Sequence, residues 1–199
     1  GQQFPTRFFD VGIAEQHGVG FASGLATAGC RPVVAIYSTF LQRGYDQVFH
    51  DLCLQDLDAV LCLDRAGLVG GDGATHQGIY DIAYLRHLPH AVLAAPKDGP
   101  ELEAMLEAAV AGRGVWAIRF PKDQVPDDLP ATGAPIEPGK AEVLREGGAL
   151  ALVAYGAMVA PALQAARRLA AHAGGAGDAG AAPPTARPPA ALRPSRPHP

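Results

Sequence analysis

Apolar and polar positions alternate along the chain between two kinds of segment. Short runs rich in β-branched residues recur as RFFDV (7–11), PVVAIY (32–37), AVLCLD (59–64), HAVLAA (90–95) and VWAIRF (115–120). Consecutive apolar positions of this kind suit strands that are covered on both faces. Between most of them the spacing turns helical. Over 38–53, Leu41, Tyr45, Val48 and Leu52 fall at i, i+4, i+7 and i+11, one stripe of a helix that packs on a sheet. Segment 98–111 opens on a capping box, Asp98 with Glu101 three residues on, and continues through Leu102, Met105, Leu106, Ala109 and Val110. Buried strands separated by helices require a mainly parallel sheet with helices on both faces, so residues 1–120 are expected to form a doubly wound α/β domain. Ligands in such sheets bind beyond the carboxyl ends of the strands. That directs the search to GIAEQH, STFLQR and RAGLVGGDGATHQG, which follow Val11, Tyr37 and Asp64.

After Phe120 the pattern changes. Residues 121–140 hold five prolines in twenty positions and almost no large apolar side chain, which is linker chemistry. AEVLREGGALALVAYG then predicts a strand, a Gly-Gly turn and a second strand. VAPALQAARRLAAHAG predicts a helix with Leu163, Ala166, Leu169 and Ala170 on one face. Residues 141–172 thus read as the opening of a second domain. Residues 173–199 contain seven of the eighteen prolines and only Leu192 as a large aliphatic. They read as a disordered Pro/Ala-rich tail, of the kind a shifted frame in a GC-rich gene produces.

Composition bounds the function. With 199 residues, 48% hydrophobic and 18% charged, the chain suffices for one domain and part of another. The net charge of -4, with no block of Lys or Arg, argues against nucleic acid or an anionic membrane as partner. No apolar run reaches the ~18 residues of a membrane span. Cys30, Cys53 and Cys62 form no CxxC pair, which favours a reducing compartment, the cytoplasm. The N-terminus lacks Met and any signal-peptide pattern, so the chain is expected to begin partway through a longer protein.

Three stretches carry candidate chemistry. Glu15 stands where a helix should start, and a helix-dipole role alone would account for it. Ile13, Ala14, Val19 and Phe21 around it instead suggest a carboxylate walled by apolar groups, which favours sharing a proton with a ligand nitrogen. In STFLQRGYD, Phe40 and Arg43 lie three apart with Tyr37 at the strand end, an aromatic beside a cation that suits a heteroaromatic ligand with an anionic substrate, although core packing by Phe40 and a solvated Arg43 would account for the pair on its own. The loop 64–78 holds five glycines with Arg65, Asp72, Thr75 and His76; glycine backbone wraps closely around a ligand and an arginine binds an anion bidentately, while a surface Ω-type loop with solvated charges is the plainer alternative. GVGFASG is discarded as a dinucleotide fingerprint, because its last interval is too long and it lies within a helix. No His, Cys or Asp spacing marks a metal site, and Ser38 has no triad partners.

Together RFFDVGIAEQHGVGFASGLATAG, RPVVAIYSTFLQRGYDQVFHD and DRAGLVGGDGATHQGIYDIAYLRHLP resemble the central, pyrimidine-binding domain of the 1-deoxy-D-xylulose-5-phosphate synthases, transketolase-like thiamine diphosphate enzymes. The resemblance runs over residues 5–172. It implies condensation of pyruvate with glyceraldehyde 3-phosphate, with release of CO2. It implies that Glu15 hydrogen-bonds N1' of the cofactor's aminopyrimidine, that Phe40 stacks on that ring and that Ile13 lies beside it. Tyr37, Arg43 and Arg65 match substrate-pocket positions, and Asp72 and His76 match the polar pair facing the reacting carbon. The family's phosphate-binding arginine, in an RYPRG-like motif, is replaced by Lys122 in RFPKD, which keeps the charge without the guanidinium fork. Mg2+ and the diphosphate belong to the family's N-terminal domain, whose GDG motif is followed by asparagines. Gly71-Asp72-Gly73 does not replace it, since this sequence has no asparagine. The resemblance thus implies a fragment, dimeric when full length, that alone binds cofactor poorly. Two other readings stand beside it: the β subunit of a 2-oxo acid dehydrogenase, and a non-catalytic assembly module or inactive truncated product.

Overall fold

Four of the five expected strands pair in a parallel sheet of order β1-β2-β4-β3: β1 Val33–Tyr37, β2 Ala59–Asp64, β3 Ala91–Ala94 and β4 Val115–Arg119. The computed structural model describes residues 1–126, 128–131, 135–148 and 150–174. Alternate side chains of the strands supply two cores. Leu61, Leu63, Val115 and Ala117 face one side with Val19, Leu41, Val48, Leu52 and Leu85. Val60, Trp116 and Ile118 face the other, against Leu102, Met105, Leu106 and Ala109. Each fully buried Leu, Ile or Val contributes about 1.5–3 kcal/mol.

On the first side lie α1 (Glu15–Thr27), the helical segment 38–53 and α4 (Asp81–Leu85); on the second lies α5 (Gly99–Ala111). Right-handed crossovers account for the division. The connections β1 to β2 and β2 to β3 advance one way across the sheet, whereas β3 to β4 turns back, so its helix must cover the opposite face. This is the doubly wound α/β architecture expected from the sequence.

The segment 38–53 is helical throughout but changes its winding: α2 (Ser38–Leu41), a 3-10 turn (Gln42–Gly44), α3 (Tyr45–Gln47) and a π turn (Val48–Cys53). The predicted stripe survives, with Leu41, Val48 and Leu52 fully buried. In α5 the capping box is half as expected. Asp98 accepts from Glu101 N at 2.8 Å, but the Glu101 carboxylate accepts from Lys97 N at 2.6 Å, one residue earlier than the usual partner. Asp98→Ala should lower stability by about 1 kcal/mol, read as a lower urea midpoint with unchanged slope.

Two expected strand regions do not form. After a 3-10 turn at Pro5–Arg7, residues 8–14 have no regular structure, and Phe8 and Phe9 remain more than half exposed. Turn chemistry outweighs β-propensity here: the Asp10 carboxylate accepts from Gly12 N at 2.9 Å and Gly12 sits at φ +62°, a left-handed conformation that ends an extended run. The described residues of 141–155 likewise contain no strand, and Leu150, Leu152, Val153 and Tyr155 are exposed. A strand needs a hydrogen-bonding neighbour, and none of the described residues supplies one. The helix beyond does form, as α6 (Val159–Gly174). The tail expected to be disordered lies, from residue 175 on, outside the described residues.

Strand register brings the functional segments level. Tyr37 pairs with Asp64, and Leu63 with Arg119. The chain therefore leaves β1, β2 and β4 side by side at one edge of the sheet.

Candidate active site

Glu15 is the first residue of α1 and is 9% exposed. A carboxylate there is favoured by the helix dipole, but its surroundings ask more of it. The 3-10 turn of segment 38–53 crosses close above it. A Cβ on Gly44 would meet Val19 Cγ2 at 3.3 Å and the Glu15 carbonyl at 3.5 Å. From the preceding position Arg43 reaches back, its Nη1 3.7 Å from Glu15 Oε2, with most of the guanidinium in solvent.

Glu15 opens on a cavity of about 220 Å³ between the 11–13 segment and the edge strand β1, whose lining includes Val34, Ile36, Tyr37 and Phe40. The wall differs from the one expected. Ile13 lines the rim while 88% exposed, Val19 is buried in the core, and Phe21 packs edge-on against Phe9 at 5.1 Å. The burial of Glu15 comes from residues some twenty to thirty positions later, which spacing within DVGIAEQH could not reveal.

Tyr37 and Phe40 lie parallel, 5.2 Å between centroids and 7° between planes, and His76 meets Phe40 edge-on at 5.2 Å. One face of Phe40 is thus covered by Tyr37, and the same ring lines the cavity on which Glu15 opens. His76 Nδ1 shares a hydrogen bond with Thr75 Oγ1 at 2.8 Å, which fixes the imidazole beside the ring. Arg65 lies over the opposite end of this stack, its Cζ 3.9 Å from the Tyr37 centroid, a cation–π contact.

Arg65 is also the hub of the charges. It pairs with Asp64 and donates from Nε to Asp72 Oδ2 at 3.0 Å, while Lys122 Nζ meets Asp72 Oδ1 at 2.7 Å. Asp72 thus bridges two cations. The hydrogen bond from Lys122, aided by that from Arg65 against the cost of burial, holds its carboxyl below the usual aspartate range. The contact is complete above an ordinary aspartate pKa and is lost as pH falls through the lower folded value. Asp64 and Asp72 in turn raise Arg65 against the opposing effect of desolvation. Arg65 adopts φ +57°, a left-handed conformation costly for a non-glycine residue and common where function dictates geometry.

The loop is pinned rather than free. Gly67 and Gly78 exchange backbone hydrogen bonds of 2.6 and 2.9 Å across its base. Gln77 spans its interior: Oε1 accepts from Val69 N at 2.7 Å, and Nε2 donates to Val69 O and Gly73 O at 2.8 and 2.7 Å. Gln77 and Gly78 belong to the THQG motif, yet the sequence does not show their structural roles, because both act through backbone partners within the same loop that come close only when it folds.

A larger cavity of about 340 Å³ lies at the other end of the strands, among Cys30, Arg31, Asp58 and Arg113. Its charges are spent on structure. Asp58 receives Arg31 at 3.3 Å, Arg113 at 2.8 Å and Gly114 N at 2.7 Å, joining the starts of three strands. Thiol chemistry finds no support in the core either: burial pushes Cys53 up to about 11 and raises Cys62.

A family model described as transketolase, pyrimidine binding domain, matches residues 1–127. The chain belongs to this family. A second model, transketolase, C-terminal domain, matches residues 139–177 of this transketolase-family chain. Among curated relatives, 1-deoxy-D-xylulose-5-phosphate synthase 1 of Geobacter sulfurreducens is 57% identical over 85% of the chain, and the synthase of Thermomicrobium roseum is 58% identical over 84%. The resemblance expressed by the three motifs is borne out. The chain spans about 27% of the length of these relatives. Among solved structures, one described as a split gene transketolase, inactive beta4 tetramer, superposes with TM-score 0.79 at 35% identity, covering 86% of this chain and 56% of that one. A Pichia stipitis transketolase with sedoheptulose 7-phosphate superposes at TM-score 0.70 and 20% identity, covering 81% of this chain and 25% of that one, which shows the shared fold. The family is a thiamine diphosphate family. Among the described residues no cluster of His, Cys, Asp and Glu is arranged to hold a metal ion, and no helix is long and apolar enough to cross a membrane.

Proposed function

We propose that the chain is the pyrimidine-binding part, with the opening of the C-terminal domain, of a 1-deoxy-D-xylulose-5-phosphate synthase that condenses pyruvate with glyceraldehyde 3-phosphate. The observation that carries this is the nearly buried Glu15 carboxylate facing a cavity shared with Tyr37 and Phe40. One acceptor carboxylate and an aromatic face are the donor set that a protonatable aminopyrimidine needs, so the residues fit the cofactor. We place the pyrimidine-binding domain at 1–120, a linker at 121–140 and the opening of the second domain at 141–172, limits that rest on the sequence pattern.

Bound thiamine diphosphate supplies the carbon acid that adds to the 2-oxo acid. Glu15 shares a proton with the ring nitrogen, held by the start of α1 and screened from water by β1. Phe40, which lines the cavity, packs its ring against the pyrimidine, and Ile13 covers the rim. Arg43, beside Glu15, receives the anionic end of a substrate. His76, fixed by Thr75, holds or moves a proton near the reacting carbon, and Asp72 orients Arg65 and Lys122, which it bridges. Arg65, with Tyr37 beneath it, and Lys122 receive the acceptor phosphate. Mg2+ and the diphosphate would be held by a domain outside this sequence.

Lys122→Arg is expected to tighten acceptor binding by about 1 kcal/mol, roughly fivefold in Kd, through a bidentate fork; a lower acceptor KM with unchanged pyruvate KM checks it. The function is tested by mixing the chain with the N-terminal half of a curated relative. CO2 release from pyruvate, dependent on both pieces, supports the reading; no release from a cofactor-loaded mixture contradicts it. A second reading draws on the neighbour described as a split gene transketolase in an inactive β4 tetramer: the diphosphate-binding half is a separate polypeptide. Either way the isolated chain should bind cofactor weakly and turn nothing over.

A further inference from the structure

We propose that the buried Asp81–Arg119 ion pair is a positioning device that sets the spacing of the Arg65–Lys122 anion clamp, and so the affinity for a phosphate-bearing acceptor. The proposal rests on the reading of Arg65 and Lys122 as acceptor-phosphate residues.

Asp81 is 1% exposed, yet it is ionisable and paired. Arg119 donates to it through both arms of its fork, Nε to Oδ2 at 2.9 Å and Nη2 to Oδ1 at 3.3 Å. Asp81 Oδ1 also accepts from Ile82 N at 2.9 Å, so the carboxylate is fixed to the start of α4. Neither residue lines the cavity at Glu15.

Their places in the chain give the pair its meaning. Arg119 ends β4, three residues before Lys122, and Asp81 stands three residues after Gly78, where the glycine-rich loop returns. The start of the loop is tied to the same strand by backbone: Phe120 N donates to Leu63 O, and Ala66 N to Phe120 O, both at 3.0 Å. The strand that delivers Lys122 is therefore fastened to both ends of the loop that delivers Arg65 and Asp72. At the returning end the ion pair makes the fastening.

Stability alone does not call for this arrangement. A buried ion pair costs desolvation that a well-packed apolar pair avoids, and replacement by apolar residues of similar volume is often neutral or stabilising. What a two-armed guanidinium–carboxylate contact adds is fixed distance and angle. Here that geometry is transmitted to Lys122, three residues beyond Arg119, and adds a fixed anchor at the returning end of the loop, beside the Gly67–Gly78 bonds that pin its base and so hold Arg65.

The test uses the 199-residue chain with inorganic phosphate as the probe, followed by the NMR signal of Arg65 Nε–H. The Asp81→Leu/Arg119→Met double variant should keep its melting temperature while its phosphate Kd weakens about tenfold, as befits one geometrically fixed charge-assisted contact. A retained fold with unchanged Kd overturns the proposal. If the double variant does not fold, Arg119→Lys decides, because it keeps the charge and loses the fork: a several-fold weaker Kd supports the proposal and an unchanged one overturns it. Lys122→Ala is the separate control. A phosphate response that survives Lys122→Ala overturns the acceptor reading itself, and no response in the unaltered chain overturns both.

Discussion

Glu15→Gln is expected to lower turnover by about 10²- to 10⁴-fold, the usual worth of a positioned proton-transfer group, when the chain is complemented with a diphosphate-binding domain. The amide keeps the size of the side chain and can still meet Arg43, but it cannot share a proton with a ring nitrogen. Fold should be little disturbed, because Glu15 starts α1 rather than filling the core, and losing its charge at the helix N-terminus costs about 0.3–1 kcal/mol. The diagnostic is a fall in kcat far larger than the small shift in melting temperature that this charge accounts for. A loss of stability in proportion to activity would instead assign Glu15 to the helix-dipole role that its sequence position also allows.

Gly78→Ala is the second large effect, and it acts through the backbone. A Cβ at this position would run into the Arg65 carbonyl and come within 2.8 Å of Ser38 Cβ and Oγ. Neither neighbour can yield, since Ser38 is buried at the end of β1 and Arg65 leaves β2. Relief requires breaking the Gly67–Gly78 hydrogen bonds, so the cost is overpacking plus two lost backbone bonds, about 3 kcal/mol. The loop that carries Arg65, Asp72 and His76 should open before the domain unfolds. Hydrogen exchange would show it as lost protection at the Gly67 and Gly78 amides with the β2 and β4 amides still protected.

Much of this architecture is legible in the sequence because the sheet is buried on both sides. Runs such as AVLCLD and VWAIRF tolerate no other placement, and the stripe through Leu41, Val48 and Leu52 requires a helix against them. RFFDV misleads because its apolar residues look like a strand, whereas Asp10 and Gly12 close a turn that two-residue spacing hides. AEVLREGG and ALALVAYG mislead for a different reason: β-structure is a property of pairs, and among the described residues these segments have no partner. For the candidate site, residue types and order bring Glu15, Phe40, Arg65 and His76 forward as candidates, and the resemblance to the synthases gives them proposed roles. Their couplings do not show, since Arg43 with Glu15, Lys122 with Asp72 and Asp81 with Arg119 are contacts set by crossing helices and level strand ends. Ile13 illustrates the limit, adjacent to Glu15 in sequence and yet mostly exposed.

Glu15 is proposed to share a proton with N1' of the pyrimidine ring. Thiamine diphosphate labelled with 15N at N1', bound to the chain complemented with a diphosphate-binding domain, tests it by the chemical shift of that nitrogen. A protonated or strongly hydrogen-bonded N1' is expected with Glu15 present, and a free-pyrimidine shift in the Glu15→Ala variant with cofactor still bound. An N1' signal identical in the two proteins would contradict it.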